Sequence, residues 1–388
     1  MALSYIYLDN AATTFPKPRA VTDEVLRCVK HYCGNPGRSS HPLALAASNK
    51  VYECREQICK LFSTDAPENI VFTQNATYAL NMAIKGLLHR GDHVLISDME
   101  HNAVYRPVFR LADSGHITYD IFDTVKNERP LSPEEICLGI EKKILRGRTR
   151  MLICTHAPNI CSTVLPITEI GKLCKKHGIY FVVDASQSAG HIRIDMSKEN
   201  IDVLCAPGHK GLMGIQGCGF MILGGENVPN TLIEGGSGVD SLNPRMPDYA
   251  PERFEVGTLP TPSIAALSEG IKYVSSFSPE EIRYHENELF IRLRYMLENS
   301  PSLCAKIYMP DCPGAVMLFN IGDRGSEETG RFLSKKGICS RSGYHCAPLA
   351  HASIGTPNGG AVRVSFSHFN KKSELEALVK ALYEFVNQ

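Results

Sequence analysis

Short apolar runs alternate along the chain with stretches of helical period. "NIVFT" at 69–73 precedes a segment predicted helical from about Ala76 to Leu87, and "HVLIS" at 93–97, "MLICT" at 151–155 and "IYFVVD" at 179–184 follow in the same style. Strand-sized apolar runs separated by helices predict an α/β fold whose mostly parallel sheet is covered on both faces. Two further helix starts are marked by "SPEE" at Ser132–Glu135 and Ser278–Glu281, where a serine cap, a proline at the first helical position and a glutamate three residues on form a capping box. A long helical stretch over roughly 262–298 leads into a smaller C-terminal region. Its last helix places Leu375, Leu378, Val379, Leu382, Phe385 and Val386 on one face, a packing stripe. The expected division is a large domain over 1–261, whose first ~15 residues join the smaller part, and a linker helix with a small domain over 262–388.

One apolar run departs from this pattern. In "VLCAPGHKGLMGIQGCGFMILGG" at 203–225 the only ionisable groups besides cysteine thiols are His209 and Lys210. A charge-poor surround penalises the ammonium form, so Lys210 is expected to have a lowered pKa and to act as a nucleophile and base.

Composition narrows the partners. Lys plus Arg and Asp plus Glu both number 41 of 388 residues, which leaves no net field to attract nucleic acid or an anionic membrane. No apolar run approaches the roughly 20 residues of a membrane span, and "MALSYIYLDNAATT" lacks the pattern of a secretion signal, so the expected location is cytoplasmic. The 14 cysteines include no C-x-x-C pair, which argues for reduced core thiols and against a disulfide framework or a metal site.

Polar residues just after the apolar runs are the ones to inspect, because ligands of open α/β sheets collect at the C-terminal strand ends. Asp184 ends one run, His101 and the pair His156 and Asn159 follow two others, and Ala76–Thr77 open a helix whose free N–H groups suit a phosphate. Pyridoxal phosphate needs a lysine for its imine bond, a carboxylate for its ring nitrogen, an anion site and a flat group over its ring. Lys210, Asp184, the Ala76–Thr77 start and His101 match those four needs.

The sequence resembles the class V aminotransferase family of pyridoxal-phosphate enzymes, in its cysteine desulfurase and selenocysteine lyase branch. The resemblance runs through "YLDNAATT" at 7–14, "NPGRSSH" at 35–41, "EH" at 100–101, "VDASQSAG" at 183–190, "GHK" at 208–210, "FEVGT" at 254–258, "RSGYHCA" at 341–347 and "VRVSF" at 362–366. It implies a fold type I architecture, with a seven-stranded sheet in the large domain and a smaller α+β C-terminal domain. Pyridoxal 5'-phosphate is the implied cofactor, held by Lys210 through the imine, Asp184 at the ring nitrogen, Gln187 at the ring hydroxyl and His101 over the ring. Ala76, Thr77 and His209 would hold its phosphate, and Thr258 would reach the phosphate in a neighbouring subunit, which implies a homodimer. Asn159 and Arg363 would receive the substrate carboxylate, with Arg341 and His41 at the site, and a guanidinium suits a carboxylate through two parallel hydrogen bonds.

Cys346, in "CSRSGYHCAPLAH", decides the expected reaction. Arg341, His345 and His351 surround it in sequence without an acidic residue, a setting that favours a thiolate. The resemblance implies that L-cysteine is converted to L-alanine, with its sulfur taken by Cys346 as a persulfide, passed to an acceptor protein and used in iron-sulfur cluster assembly. Selenocysteine lyase, an aminotransferase-like enzyme on another small amino acid, and a non-catalytic protein on this fold are the alternatives. Three residues depart from the family: Pro207 stands where a hydroxyl residue is usual before Gly-His-Lys, Ala76 where threonine is common, and Tyr344 where histidine is common.

Overall fold

A computed structural model of the chain describes residues 5–37, 40–225 and 229–388, so Arg38 and Ser39 of the 35–41 motif lie outside the described residues. Seven strands form the main sheet in the order Ile70–Thr73, Gly219–Leu223, Val203–Pro207, Tyr180–Asp184, Thr149–Thr155, His93–Ser97 and Thr118–Phe122. All neighbours run parallel except Gly219–Leu223, which is antiparallel to both of its partners. The three central strands are buried on both faces, and this is why they read as unbroken apolar runs.

Alternate residues feed two cores. Leu95, Leu152, Phe181, Val183, Leu204 and Phe220 join one cluster, and Val94, Ile96, Ile153, Val182, Cys205 and Met221 join the other. Helices α1 (Arg19–His31), α2 (Pro42–Phe62), α3 (Ala76–Leu87), α4 (Asn102–Asp113), α5 (Pro133–Lys143) and α6 (Ile167–His177) precede or interleave these strands. The capping boxes at Ser132 and Ser278 are both formed.

The helical stretch over 262–298 is two helices, a correction to the single linker helix. α7 (Thr261–Val274) ends before Ser278 caps α8 (Pro279–Glu298), because the serine cap and Pro279 start a new helix. Beyond α8, strands Ala305–Tyr308, Val316–Ile321, Ala361–Ser365 and Arg341–Gly343 form a four-stranded antiparallel sheet, in that order. It is accompanied by α9 (Ser326–Lys335), α10 (Pro348–Ser353) and α11 (Lys372–Val386). The stripe on α11 buries Leu375, Leu378, Val379, Leu382 and Phe385, with Val386 packed at its margin.

The N-terminal segment straps the two sheets together. Ile6–Tyr7 pairs in parallel with Ile338–Cys339, and Ser365 N donates to Leu8 O at 2.8 Å. Asn10 Nδ2 donates to Ser365 O at 3.0 Å and Ala11 N to Ser365 Oγ at 2.8 Å. A few residues later the chain touches the lysine loop, where Thr13 Oγ1, Thr14 N and Lys17 Nζ donate to His209 O at 3.1, 3.2 and 2.7 Å.

Candidate active site

Lys210 sits on the loop between strands Val203–Pro207 and Gly219–Leu223. That loop is folded on itself by hydrogen bonds from Gly214 N to Gly208 O and from Met213 N to Lys210 O, both 2.8 Å. Gly211, next to the lysine, has no room for a side chain: a Cβ there would lie 2.3 Å from Ala189 O and from the His191 ring. The lysine therefore projects from a backbone wedged against its neighbours. Its amine lines one cleft with Asn75, Thr77, His101, Asn159, Asp184, Gln187 and His209, together with Ala76 and Pro207.

Each wall comes from a strand end, as the fold dictates. Asp184 is buried at the end of its strand, and its Oδ1 accepts from Ser186 N at 2.9 Å. Gln187 donates its Nε2 to Ala11 O at 2.9 Å, which leaves its carbonyl oxygen for a ligand. Asn75 caps α3 by accepting from Tyr78 N at 3.0 Å, so the N–H groups of Ala76 and Thr77 have no acceptor within the helix. Gly219 permits the approach, since a Cβ there would lie 2.6 Å from Asn75 backbone carbon. His101 caps α4, with Nδ1 accepting from Ala103 N at 3.0 Å, and this fixes its ring over the cleft mouth.

Burial governs the charges. Desolvation lowers the Lys210 pKa to about 8; Asp184 opposes this, while Arg363 and Arg341 reinforce it. Burial, with Lys210 and Lys17 nearby, pushes His209 down to about 4. Glu100, beside His101, is fully buried and raised to about 8, first by desolvation and then by the carboxylates of Asp184 and Asp98. It accepts from Ser97 Oγ and, at 2.8 Å, from Thr155 N.

The backbone of the segment that carries the thiol is fastened to residues of the cleft wall and to the residue next to His101. Cys346 is exposed, and its carbonyl accepts from Asn102 N, the residue after His101, at 2.7 Å. Asn159 Nδ2 donates to His345 O at 2.7 Å, and Arg341 Nη2 lies 3.9 Å from Cys346 Sγ. The expectation that His345 and His351 add positive charge here is corrected. Burial, followed by the Arg363 charge, lowers them to about 3 and about 4, so both rings are neutral near pH 7 and Arg341 supplies the local cation. Tyr344 is half exposed and its hydroxyl accepts from Gly359 N at 3.1 Å.

Arg363 is 1% exposed and carries an ion pair that sequence reasoning missed. Its Nη2 donates to Asp9 Oδ1 at 2.6 Å and its Nη1 to Asn159 O at 3.0 Å, while Nε has no partner. Asp9 stands inside the "YLDNAATT" motif, and that was the available signal. Among the described residues, Arg341, Arg363, Cys346 and His41 do not line this cleft, and His41 is exposed and caps α2, accepting from Ala44 N at 3.3 Å. Thr258, expected at a neighbouring subunit's cofactor, is exposed beyond Gly257. Eight of the 14 thiols are buried, and Cys33, Cys304 and Cys346 are the exposed ones.

These residues fit pyridoxal phosphate. Among the described residues, His209 Nδ1 and Asn159 Oδ1 are buried polar atoms without a hydrogen-bond partner, and the donor set combines an amine, a carboxylate and a helix N-terminus.

Comparison with known proteins agrees with this geometry. The chain is 31% identical to a probable cysteine desulfurase of Methanothermobacter thermautotrophicus, over 98% of this chain and 94% of the relative. It is 29% identical to a cysteine desulfurase of Serratia proteamaculans, over 97% and 92%. The apo structure of the cysteine desulfurase from Thermococcus onnurineus NA1 superposes with a TM-score of 0.88 at 28% identity, covering 99% of this chain and 95% of that one. The sequence profile of the Aminotransferase class-V family matches residues 6–378, and the chain belongs to that family.

Proposed function

We propose that this protein is a pyridoxal-phosphate-dependent cysteine desulfurase that converts L-cysteine to L-alanine and receives the sulfur on Cys346 as a persulfide. The observation that carries this reading is the hydrogen bond from Asn102 N to Cys346 O. It ties the backbone of the exposed Cys346 to the residue following His101, and His101 lines the cleft that holds Lys210. Transamination has no use for a thiol in that place.

When bound, pyridoxal phosphate supplies an electron sink that weakens bonds at the α-carbon of an attached amino acid. Lys210 would hold its aldehyde carbon, Asp184 its ring nitrogen, Gln187 its ring hydroxyl, and Thr77 with the Ala76 N–H and His209 its phosphate. Pro207 brings no hydroxyl donor to that phosphate site. Arg363 and Asn159 would meet the substrate carboxylate, and Arg341 stands at the thiol. The amine of Lys210, largely neutral above pH 8, takes the α-proton. The Cys346 thiolate attacks the substrate sulfur, an S–S bond forms as the C–S bond breaks, and a proton goes to the former β-carbon to give alanine.

The accompanying reading is a cytoplasmic homodimer that hands its sulfur to an acceptor protein for iron-sulfur cluster assembly, built from domains at 1–261 and 262–388. Support for a dimer comes from the half-exposed Tyr52 and Tyr249, which line an open groove beside Gly257 and so lie near the exposed Thr258.

The test is alanine formed from L-cysteine in the presence of pyridoxal phosphate and a reductant, comparing the native chain with Cys346→Ala. Alanine from the native chain alone is expected. Equal alanine from both would remove Cys346 from the reaction, and none from either would turn attention to selenocysteine and then to oxo-acid acceptors.

A further inference from the structure

Cys346 is held in a backbone conformation that side-chain-bearing residues avoid. His345 and Cys346 have φ of 52° and 57°, two successive non-glycine residues in the left-handed region. Such a turn persists only where its surroundings over-determine it. Its two carbonyls are anchored, that of His345 by Asn159 and that of Cys346 by Asn102. Ala347 N closes the turn by donating to Tyr344 O at 2.8 Å. The side-chain restraint is that of His345, which leads into a buried chain of hydrogen bonds.

That chain has one polarity. His345 Nε2 faces Arg341 O at 3.3 Å, and a carbonyl can only accept, so this nitrogen carries the hydrogen. His345 Nδ1 is then an acceptor, and His351 Nε2 donates to it at 3.1 Å. His351 Nδ1 must accept in turn, and the Thr356 hydroxyl, which also lies 3.3 Å from His351 O, donates to it over the shorter distance of 2.8 Å. The two rings are nearly parallel at 11°, with centroids 5.3 Å apart, and are 3% and 1% exposed. Every polar atom of both imidazoles is satisfied in this single arrangement. Because the chain ends on the Arg341 carbonyl, it has no terminal base and cannot conduct a proton toward the sulfur. Its work is positional.

We infer that His351, oriented by Thr356, is a positioning residue for the Cys346 thiol, acting through His345 to hold the left-handed turn that presents the sulfur to Arg341 and the cleft. This rests on Cys346 being the sulfur acceptor, and it assigns the orientation of that thiol to residues five and ten positions further along the chain. Tyr344 closes the arrangement from outside, its ring meeting that of His351 edge-on at 5.5 Å.

The experiment measures iodoacetamide labelling of Cys346 in the cofactor-loaded protein, located by peptide mass spectrometry because Cys33 and Cys304 are also exposed. His351→Phe keeps a ring but removes both hydrogen bonds. Thr356→Val removes the last donor without touching the buried pair, and so stands in if the first variant folds poorly. Labelling of Cys346 is expected to slow about five-fold in His351→Phe, the equivalent of one ordinary hydrogen bond, and about two-fold in Thr356→Val. Thr356→Ser restores the native rate, Cys33 labels equally in all, and kcat for alanine falls in parallel with KM for L-cysteine unchanged. Native labelling rates at Cys346 in both His351→Phe and Thr356→Val would overturn the inference. Slowed labelling with unchanged kcat would support the positioning role while removing Cys346 from the reaction.

Discussion

The lowered pKa of Lys210 gives the most direct test of the site. With a pKa of about 8, about 9% of the amine is neutral at pH 7, against about 0.03% for a lysine at its ordinary value of 10.5. The difference is roughly 300-fold in available nucleophile. Trace labelling of the cofactor-free protein with acetic anhydride, mapped to the Lys210 peptide across pH 6 to 11, reads this directly, and the midpoint should fall near pH 8. Desolvation is the main cause, and the charges around the amine set the direction of each variant. Asp184 raises the pKa, so Asp184→Asn should move the midpoint lower. Arg363 lowers it, so Arg363→Met should move it higher. A native midpoint near 10.5, or a rise in Asp184→Asn, would refute the argument that burial and these two charges govern the amine.

Three further outcomes follow from the same geometry. Lys210→Ala should abolish alanine formation and leave the circular dichroism spectrum unchanged, because the side chain is chemical rather than structural; retained turnover would remove it from the mechanism. Glu255→Gln strands the buried guanidinium of Arg55, which bonds Glu255 at 2.7 Å, while the amide still accepts from Phe72 N; urea unfolding should show a loss of about 3 kcal/mol, and a loss under 1 would sink the claim. Ser278→Ala removes the cap of α8 and should cost about 1 kcal/mol in the same assay, with no change in labelling of Lys210.

Much of the site was legible because its parts lie at the ends of apolar runs. Residues 70–73, 93–97, 151–155 and 181–184 are unbroken buried stretches of their strands, and each is followed by polar groups that line the cleft. Strand Thr118–Phe122 was not legible, since an edge strand needs only one buried face and its Asp120 breaks the apolar pattern. Strands Val203–Pro207 and Gly219–Leu223 lie inside the charge-poor run, whose continuous small and apolar residues mark no boundary between strand and loop. The state of His345 and His351 depends on burial, which sequence neighbours do not reveal. The Asp9–Arg363 pair joins positions 354 apart, and no local pattern encodes such a contact.

The strap at the N-terminal end of the chain sets a length limit on motion. Ala11 is fastened to Ser365 of the four-stranded sheet and Thr14 to His209 of the lysine loop, and three peptide units span at most about 10 Å. The strand carrying Arg363 and the loop carrying Lys210 are thus leashed at one corner. Any opening between that strand and that loop is held to about that length at this corner unless one of these hydrogen bonds breaks.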